Sequence, residues 1–244
     1  MIYASRSERG KREKNEDNVF TPAAGDPALV IVADGMGGHN AGELASEIAV
    51  SAVVDCIRDG SRSLMNPIKS LNEAAKAANS AVYEYAAGDP DCRGMGTTLV
   101  MALLYDKKFV AANVGDSRLY HYNGKELSQV TTDHSLVAEL VAAGYITREE
   151  ALHHPRRNVI TRALGTRPSE NVDIFENRWR RGDILLLCSD GFYEVLPEEK
   201  IAQMLRESTN LQDTCNSFTQ LAMANGSTDN ISIVLVKNGG ENDA

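Results

Sequence analysis

Short apolar runs alternate along the chain with longer stretches in which apolar side chains recur at every third or fourth position. The runs predict buried strands, and the longer stretches predict amphipathic helices that cover a core. The predicted strands lie at 30–33, 99–104, 109–114, 118–122, 125–129, 172–179, 183–188 and 230–236. The predicted helices lie at 67–87, 135–143, 192–195, 198–206 and 211–225, and another helix has an apolar face that runs from Leu44 to Cys56.

The loops between many of the predicted strands are short, which favours antiparallel pairing. Asn123-Gly124 predicts a hairpin turn within a meander over 109–129, and Arg181-Gly182 predicts a turn between two further strands. Helices that fall in groups between such strands indicate an α+β fold rather than a doubly wound parallel sheet.

The chain contains no linker, internal repeat or low-complexity tract that would divide it. We expect one domain over 1–238, followed by a frayed polar tail at 239–244. A basic, proline-bearing segment with weak periodicity lies at 144–167. Such a segment is a candidate flap beside a functional site, and an ordinary solvated loop is the alternative.

The composition excludes several classes of partner. A net charge of −9 argues against binding to a nucleic-acid backbone. No apolar run approaches the roughly 18 residues of a membrane span, and the first residues contain no apolar signal region. We therefore expect a soluble, cytoplasmic monomer with no nucleic-acid and no membrane partner. The cysteines form no C-x-x-C pair, which suggests neither a zinc site nor a redox motif.

The most distinctive stretch is an apolar run at 30–33 that ends in Asp34 and continues as a glycine-rich loop to His39. This order predicts a strand that delivers a carboxylate beside backbone able to approach a ligand closely. The loop has Asn40 where a dinucleotide fingerprint needs its third glycine, and it lacks the Gly-Lys-Ser/Thr ending of a P-loop. An acid in this position suits a hard cation, although Asp34-Gly35 alone is also an ordinary turn.

Carboxylates recur at the margins of other predicted strands. They are Asp17, Asp116, Asp190 and Asp229. One such acid is a turn residue, but several suggest a shared cluster, and unpaired carboxylates at close range need cations to stay ionised together.

The motifs that contain these acids resemble those of the metal-dependent protein phosphatases of the protein phosphatase 2C type. The matching segments are Arg12-x-x-Asn15-Glu16-Asp17, DGMGGH at 34–39, MGTT at 95–98, VGDSRLY at 114–120, TTDHS at 131–135, HPRRNVITRALG at 154–165, LLLCSDG at 185–191 and TDN at 228–230. They keep the family's order and span nearly the whole chain. The resemblance implies two central antiparallel sheets, face to face, with a helical layer outside each and the acids gathered at one end.

The resemblance also implies the chemistry of a protein serine/threonine phosphatase, in which a hydroxide that bridges two Mn²⁺ or Mg²⁺ ions attacks phosphoserine or phosphothreonine. The implied ligands of the pair are Asp17, Asp34, Asp190, Asp229 and the Gly35 carbonyl. Asp34 bridges the ions, Glu16 supports them through bound water, and Asp116 forms a weaker third site with Asp190. The implied partners are phosphorylated proteins, including a serine/threonine kinase or its targets.

By the same resemblance Arg12 binds the substrate phosphate, whose oxygens suit a guanidinium fork. The chain departs from the family at two positions. Gly10 lies two residues before Arg12, whereas the family often has a glycine three residues before it. Met36 occupies the position of a histidine that serves some members as general acid. His39 is the nearest candidate for that role, and a structural loop residue is the equally weighted alternative.

Three alternatives belong to other classes. A binding module with a dead site has the same fold, but no member of the acid set is missing here. A metal-dependent phosphodiesterase would typically mix His with Asp among its ligands, and no His flanks the acids outside the Asp34 loop. Cys56 and Arg62 match the C-x5-R pattern of cysteine-based phosphatases, but Cys56 falls late in a predicted helix instead of at a strand end.

Overall fold

Two antiparallel β-sheets lie face to face at the centre of the molecule, and helices cover the outer face of each. The computed structural model describes residues 1–38, 41–59 and 66–239. In chain order the strands are β1 Ile2–Glu8, β2 Asp17–Phe20, β3 Leu29–Met36, β4 Gly96–Thr97, β5 Leu99–Leu104, β6 Lys108–Val114, β7 Arg118–Tyr122, β8 Leu127–Gln129, β9 Asp173–Arg178, β10 Ile184–Cys188 and β11 Ile231–Lys237. The β3 sheet has the order β2-β3-β5-β6-β9, with β4 paired to the end of β3, and the β10 sheet has the order β1-β11-β10-β7-β8.

The helices form two outer layers and one peripheral pair. They are α1 Ala41–Asp59, α2 Pro67–Gly88, α3 Leu136–Ala142, α4 Arg148–Leu152, α5 Asp190–Tyr193, α6 Glu198–Glu207 and α7 Leu211–Ala224. Helices α1 and α2 pack on the β3 sheet, and α5, α6 and α7 pack on the β10 sheet. Helices α3 and α4 bury no side chain fully. Within the described ranges no helix has both the length and the apolar character needed to cross a membrane.

The central strands are apolar on both faces because both faces are covered. In β3, Val30 and Val32 point toward the β10 sheet, whereas Leu29 and Ile31 point toward the helices α1 and α2. The side chains of β10 and β11 alternate in the same way between the inter-sheet layer and the α5–α7 layer. Strands covered on both sides appear in a sequence as continuous apolar runs, which is why the runs were recognisable. The α+β sandwich that was expected is therefore confirmed.

Two predicted strand pairings are wrong. Strands β6 and β7 were expected in one meander, but β6 pairs with β5 and β9 while β7 pairs with β10 and β8. Likewise β9 and β10 are neighbours in sequence but belong to different sheets. In both places a short loop crosses from one sheet to the other, and loop length alone cannot distinguish such a crossing from a hairpin.

The hairpin between β7 and β8 and the helix that follows agree with the sequence in outline. Tyr122 pairs with Leu127 around a turn that contains Gly124 at φ +86°. The helix predicted at 135–143 begins after its N-cap, Ser135, whose Oγ accepts from the Ala138 N–H. An N-cap hydroxyl satisfies one of the free N–H groups of the first helical turn.

Candidate active site

Acidic residues at the ends of several strands meet at one end of the sandwich. Asp17 opens β2 and faces Asp34 of β3 in the antiparallel register. Asp190 follows β10, Asp229 precedes β11, and Asp116 follows β6. The negative charges of the other four all act on the Asp34 carboxyl. The structure therefore brings together the carboxylates that the sequence suggested as metal ligands.

Hydrogen bonds from residues 97 and 98 fix the backbone of Asp34. Its N–H donates to Thr98 Oγ1 over 2.9 Å, and its carbonyl accepts from the Thr98 N–H at 2.8 Å and from Thr97 Oγ1 at 2.9 Å. These contacts occupy the backbone groups and leave the carboxylate for the cluster.

Gly35 packs directly on α1. Its N–H donates to the Glu16 carbonyl over 3.1 Å, and a Cβ added at Gly35 would lie 1.9 Å from the Gly42 carbonyl oxygen. No side chain fits there without displacing backbone. Glu16 lies in the same corner, where burial raises the pKa of its carboxyl group and Arg12 opposes the rise.

A hydrogen bond between the two sheets orients Asp17. Its side chain is buried, and Ser189 Oγ, just after β10, donates to Asp17 Oδ2 over 2.7 Å. The Ser232 N–H donates in turn to Ser189 Oγ over 3.0 Å. The position of this carboxylate therefore depends on the packing of both sheets.

Arg12 reaches the edge of the cluster and pairs with Asp229. Its Nη2 donates to Asp229 Oδ2 over 2.6 Å. Gly10 has φ +62°, and a Cβ there would lie 2.1 Å from the Asp229 carbonyl oxygen, so the loop rests on this backbone. Asn230 Nδ2 donates to two carbonyl groups of the same loop over 2.8 Å each. The short Gly10–Arg12 spacing therefore still brings the guanidinium to the acids.

Asp116 is buried in a turn that is connected to Asp34. Ser117 Oγ lies 2.7 Å from Thr98 Oγ1, the hydroxyl that accepts from the Asp34 N–H. The charge of Asp116 is the strongest ionic influence on Asp190. The structure thus brings Asp116 close to Asp190, although the two are far apart in sequence.

Burial and mutual repulsion raise the pKa values of these acids in the absence of cations. Burial raises the pKa of Asp17 from 3.8 to about 6. The pKa of Asp116 rises to about 7, chiefly through burial and then through Asp133. The pKa values of Asp34 and Asp190 lie well above the ordinary range, first because of burial and then because of neighbouring carboxylates. Such a set cannot be fully ionised at neutral pH without compensating positive charge.

Two buried oxygen atoms of the cluster accept no hydrogen bond from the described residues. They are Asp17 Oδ1 and Asp190 Oδ1. An unsatisfied buried acceptor costs about 1–3 kcal/mol, and a divalent cation would satisfy both atoms. Across the described ranges, no three acidic, histidine or cysteine side chains already stand close enough to hold an ion by themselves. Carboxylate oxygens suit hard cations such as Mg²⁺ better than structural zinc, which takes cysteine and histidine ligands.

The segment expected to form a flap is fixed at its C-terminal end and exposed at its N-terminal end. Leu164 and Thr97 exchange backbone hydrogen bonds of 2.9 and 3.1 Å, and Ile160 pairs with Ser135. Tyr145, by contrast, is 78% exposed. A cavity of about 910 Å³ separates the α3–α4 pair from the Asp116 turn. Its lining includes Val137, Val141 and Leu152 on the helical side and Asp116, Tyr193 and Glu194 on the other.

Only some of the described basic residues of this segment line the cavity. Arg162 instead donates to Glu170 Oε1 over 3.0 Å and to Asp173 Oδ1 over 2.9 Å. Arg157 does line the cavity, with its Nε 4.0 Å from Glu194 Oε1. Arg162 therefore anchors the segment.

Several predicted features lie outside the described residues: His39, Asn40, Arg62 and most of the C-terminal tail at 240–244. Cys56 is described and lies late in α1, where burial raises the pKa of its thiol. A cysteine nucleophile needs a lowered pKa and a strand-end position. The C-x5-R pattern is therefore not a phosphatase loop.

Sequence reasoning missed the neutral side chains that hold the acids in place. Thr98, Ser189 and Asn230 each belong to a matched motif, but an uncharged side chain gives no electrostatic reason to assign it a role. It also missed Arg118, which donates from Nε and Nη2 to Asp133 and lies 3.6 Å from the centre of the Tyr193 ring. The sequence Asp-Ser-Arg at 116–118 was the signal that could have pointed to Arg118.

Comparisons with known proteins agree with this geometry. Residues 5–224 match the family model described as protein phosphatase 2C. The chain is 41% identical over 237 residues to the serine/threonine phosphatase stp of Listeria monocytogenes, covering 95% of this chain and 94% of the relative.

Solved structures are similar over almost the whole chain. The serine/threonine phosphatase Stp1 from Staphylococcus aureus matches with a TM-score of 0.88 and 35% identity, covering 96% of this chain and 94% of that one. The catalytic domain of the serine/threonine protein phosphatase PstP, in complex with two manganese ions, matches with a TM-score of 0.85 and 36% identity, covering 97% of each chain.

The raised pKa values predict an unusual pH dependence of stability in the chelated protein. Asp17 and Asp116 have folded pKa values of about 6 and 7 against an ordinary value of 3.8, so the folded state binds more protons than the unfolded state between about pH 4 and 7. The free energy of unfolding contributed by these groups therefore falls as pH rises through that window. A shift of about two units at Asp17 corresponds to about 3 kcal/mol.

Scanning calorimetry in the presence of a chelator is the measurement, with Asp116→Asn as the matched variant that removes one titrating group. We expect Tm of the unsubstituted protein to fall more steeply between pH 5 and 7.5 than Tm of the variant, and Mn²⁺ to raise Tm strongly at pH 7.5 and weakly at pH 5. Parallel pH profiles for the two proteins would contradict the prediction.

Proposed function

The chain belongs to the protein phosphatase 2C family, and from this membership we infer that it is a metal-dependent protein serine/threonine phosphatase. The observation that carries the inference is the pair of buried carboxylate oxygens, Asp17 Oδ1 and Asp190 Oδ1, that have no hydrogen-bond partner among the described residues. They lie among acids whose pKa values are raised by burial and repulsion. A site of this kind requires cations and attracts the phosphate dianion only when they are present.

We propose that two ions are held by Asp17, Asp34, Asp190 and Asp229. The family resemblance implies that Asp34 would be the shared ligand. The Gly35 carbonyl would complete the set, and Glu16 would contribute through water. When bound, a divalent pair neutralises the phosphate and lowers the pKa of coordinated water to produce a nucleophile near pH 7. The all-oxygen donor set favours Mn²⁺ or Mg²⁺.

The role proposed for Arg12 is to bind and orient the phosphate. Its ion pair with Asp229 holds the guanidinium at the entrance of the cluster. Because more than half of the Arg12 side chain is exposed, its ion pair with Asp229 contributes little to stability. Replacing the Asp229 oxygen by a phosphate oxygen therefore costs little free energy. Arg12 would then neutralise charge that develops on the transferred group.

A third, weaker cation would lie between Asp116 and Asp190. Asp190 then serves two sites, so its charge is partly neutralised before the third ion arrives. His39 stays the candidate general acid for the leaving alkoxide, with a structural role as the alternative.

The proposed substrates are proteins phosphorylated on serine or threonine, among them a kinase or its targets. We propose that residues 144–167 form the substrate-facing flap of one catalytic domain over 1–238, supported by the cavity between α3–α4 and the Asp116 turn. We also propose a monomeric, cytoplasmic enzyme, and light scattering on the purified protein tests the monomer.

Metal dependence tests the proposed function. We expect turnover of a phosphothreonine peptide to stop after chelation and to return with Mn²⁺ or Mg²⁺. Asp34→Ala should abolish activity because it removes the shared ligand. Asp26→Ala is the matched control, since Asp26 pairs with Arg58 on the surface. Activity that survives thorough chelation would overturn the proposal, and a folded protein that binds Mn²⁺ without turnover would indicate a binding module.

Arg12→Ala should lower kcat/KM on the same peptide without changing the content of tightly bound metal. Loss of one charge-assisted hydrogen bond corresponds to about 1.5–3 kcal/mol, or roughly ten- to a hundred-fold in rate. Arg6→Ala is the control, because Arg6 is also exposed and also pairs with a carboxylate, Glu8. Equal kinetics for the two variants would show that Arg12 does not contact the phosphate.

Asp116→Ala should leave the fold and the tight pair intact but raise the Mn²⁺ concentration needed for half-maximal activity. Removal of a metal ligand or its support typically costs about ten- to a hundred-fold. The measurement is calorimetric titration with Mn²⁺ alongside peptide kinetics. An unchanged number of sites with normal turnover would mean that Asp116 is only a turn residue.

A further inference from the structure

The backbone immediately before Asp116 is held from two directions by one residue, His134. The Gly115 N–H donates to His134 Nδ1 over 3.0 Å, and the His134 N–H donates to the Gly115 carbonyl over 3.0 Å. His134 is only 7% exposed. Nδ1 can accept from the Gly115 N–H only when it carries no proton of its own. The imidazole is therefore held in its orientation by the peptide group that it supports.

Position 115 accommodates glycine but not a residue with a side chain. It has φ +102°, and a Cβ there would lie 2.7 Å from the Thr98 Cβ. On the other side of Asp116, Ser117 Oγ is bonded to Thr98 Oγ1. The residues on both sides of Asp116 are therefore held in place. His134 holds Gly115, and Thr98 holds Ser117.

The opposite edge of the same imidazole contacts the C-terminal root of the flap. Nε2 lies 2.8 Å from Arg162 Nη1 and 3.2 Å from Asp173 Oδ2, and Arg162 Nη1 also donates to the other oxygen of this carboxylate over 2.9 Å. The His134 carbonyl accepts from the Thr161 N–H over 2.8 Å. Residues 160–162 and the Gly115 peptide are therefore joined through the backbone and the side chain of a single residue.

We propose that His134 is a positioning residue for Asp116, and that His134 and Arg162 couple the root of the flap to the Asp116 turn. The inference rests on the proposed role of Asp116 in the phosphatase reaction. Neither side chain touches the substrate or the reacting atoms. A shift of the flap root moves Arg162 away from His134 and Asp173, releases the Gly115 N–H and displaces the Asp116 carboxylate relative to Asp190.

Two substitutions test the contacts of the two ring nitrogens of His134 separately. In His134→Asn the amide oxygen takes roughly the place of Nδ1, so the acceptor for Gly115 is kept and the contact with Asp173 is lost. In His134→Gln the amide nitrogen takes roughly the place of Nε2, so the Asp173 contact is kept and the acceptor for Gly115 is lost. His121→Gln is the matched control, because His121 Nε2 also contacts a carboxylate, Asp183 Oδ2, at 2.8 Å.

Amide hydrogen exchange in the chelated protein tests the geometry without reference to activity. We expect faster exchange at the Gly115 amide in His134→Gln and in Arg162→Gln, and near-normal exchange in His134→Asn and His121→Gln. Tm of each variant is measured first, and Arg162→Gln decides the coupling if His134→Gln does not fold. Unchanged exchange at Gly115 in both His134→Gln and Arg162→Gln would overturn the inference.

A double-mutant cycle tests the connection to the reaction. We expect His134→Gln alone to lower phosphopeptide turnover at saturating Mn²⁺ by about ten-fold or more, as for other residues that orient metal ligands. In the Asp116→Ala background the same change should alter turnover by less than roughly two-fold, because residues that act together are not additive. Additive losses would assign His134 a merely structural role. If the unsubstituted protein has no phosphatase activity, the proposed function fails, while the exchange experiment still decides whether His134 positions Asp116.

Discussion

Repulsion among buried carboxylates is the constraint on which this structure depends. Asp17, Asp34, Asp116 and Asp190 all have raised pKa values because burial and neighbouring charge act in the same direction. A fold that only had to be stable would not collect acids in this way, since each ionised group removed from water costs free energy unless it is paired. The cost is tolerated because the two sheets are rigid, and because cations convert the repulsion into binding.

Among the described residues, the hydrogen bonds that hold Asp17 and Asp34 come from neutral groups, which helps the sheets to tolerate the cluster. Hydroxyls from Thr98 and Ser189 and the amide of Asn230 fix the backbone and one carboxylate oxygen without cancelling charge. Arg12 contacts only the rim, and Arg118 is already bonded to Asp133. Positive charge at the centre would compete with metal, so its exclusion is as much a part of the site as the acids are.

The sequence was sufficient for the elements of the fold and for the acids, but not for their arrangement. Apolar runs such as 99–104 and 184–188 marked strands well, because both faces of each sheet are covered. The partners of those strands were not predictable from loop length, since β6–β7 and β9–β10 cross between sheets through loops as short as those of hairpins. The roles of His134 and Arg162 were hidden for the same reason: their contacts join segments whose proximity is decided by the sheet order.

The pairing of the first strand with the last has a consequence for biosynthesis. β1 is hydrogen-bonded along its whole length to β11, and Arg12 and Asp229 meet only when these strands are paired. A growing chain on the ribosome therefore cannot assemble the acid cluster until residues 231–237 have emerged. Until then the sheet opposite Asp17 and Asp34 lacks the strand that joins β1 to β10, and the nascent protein has no competent site. Contacts of such long sequence separation form slowly, so the delay between synthesis and activity is built into the order of the strands.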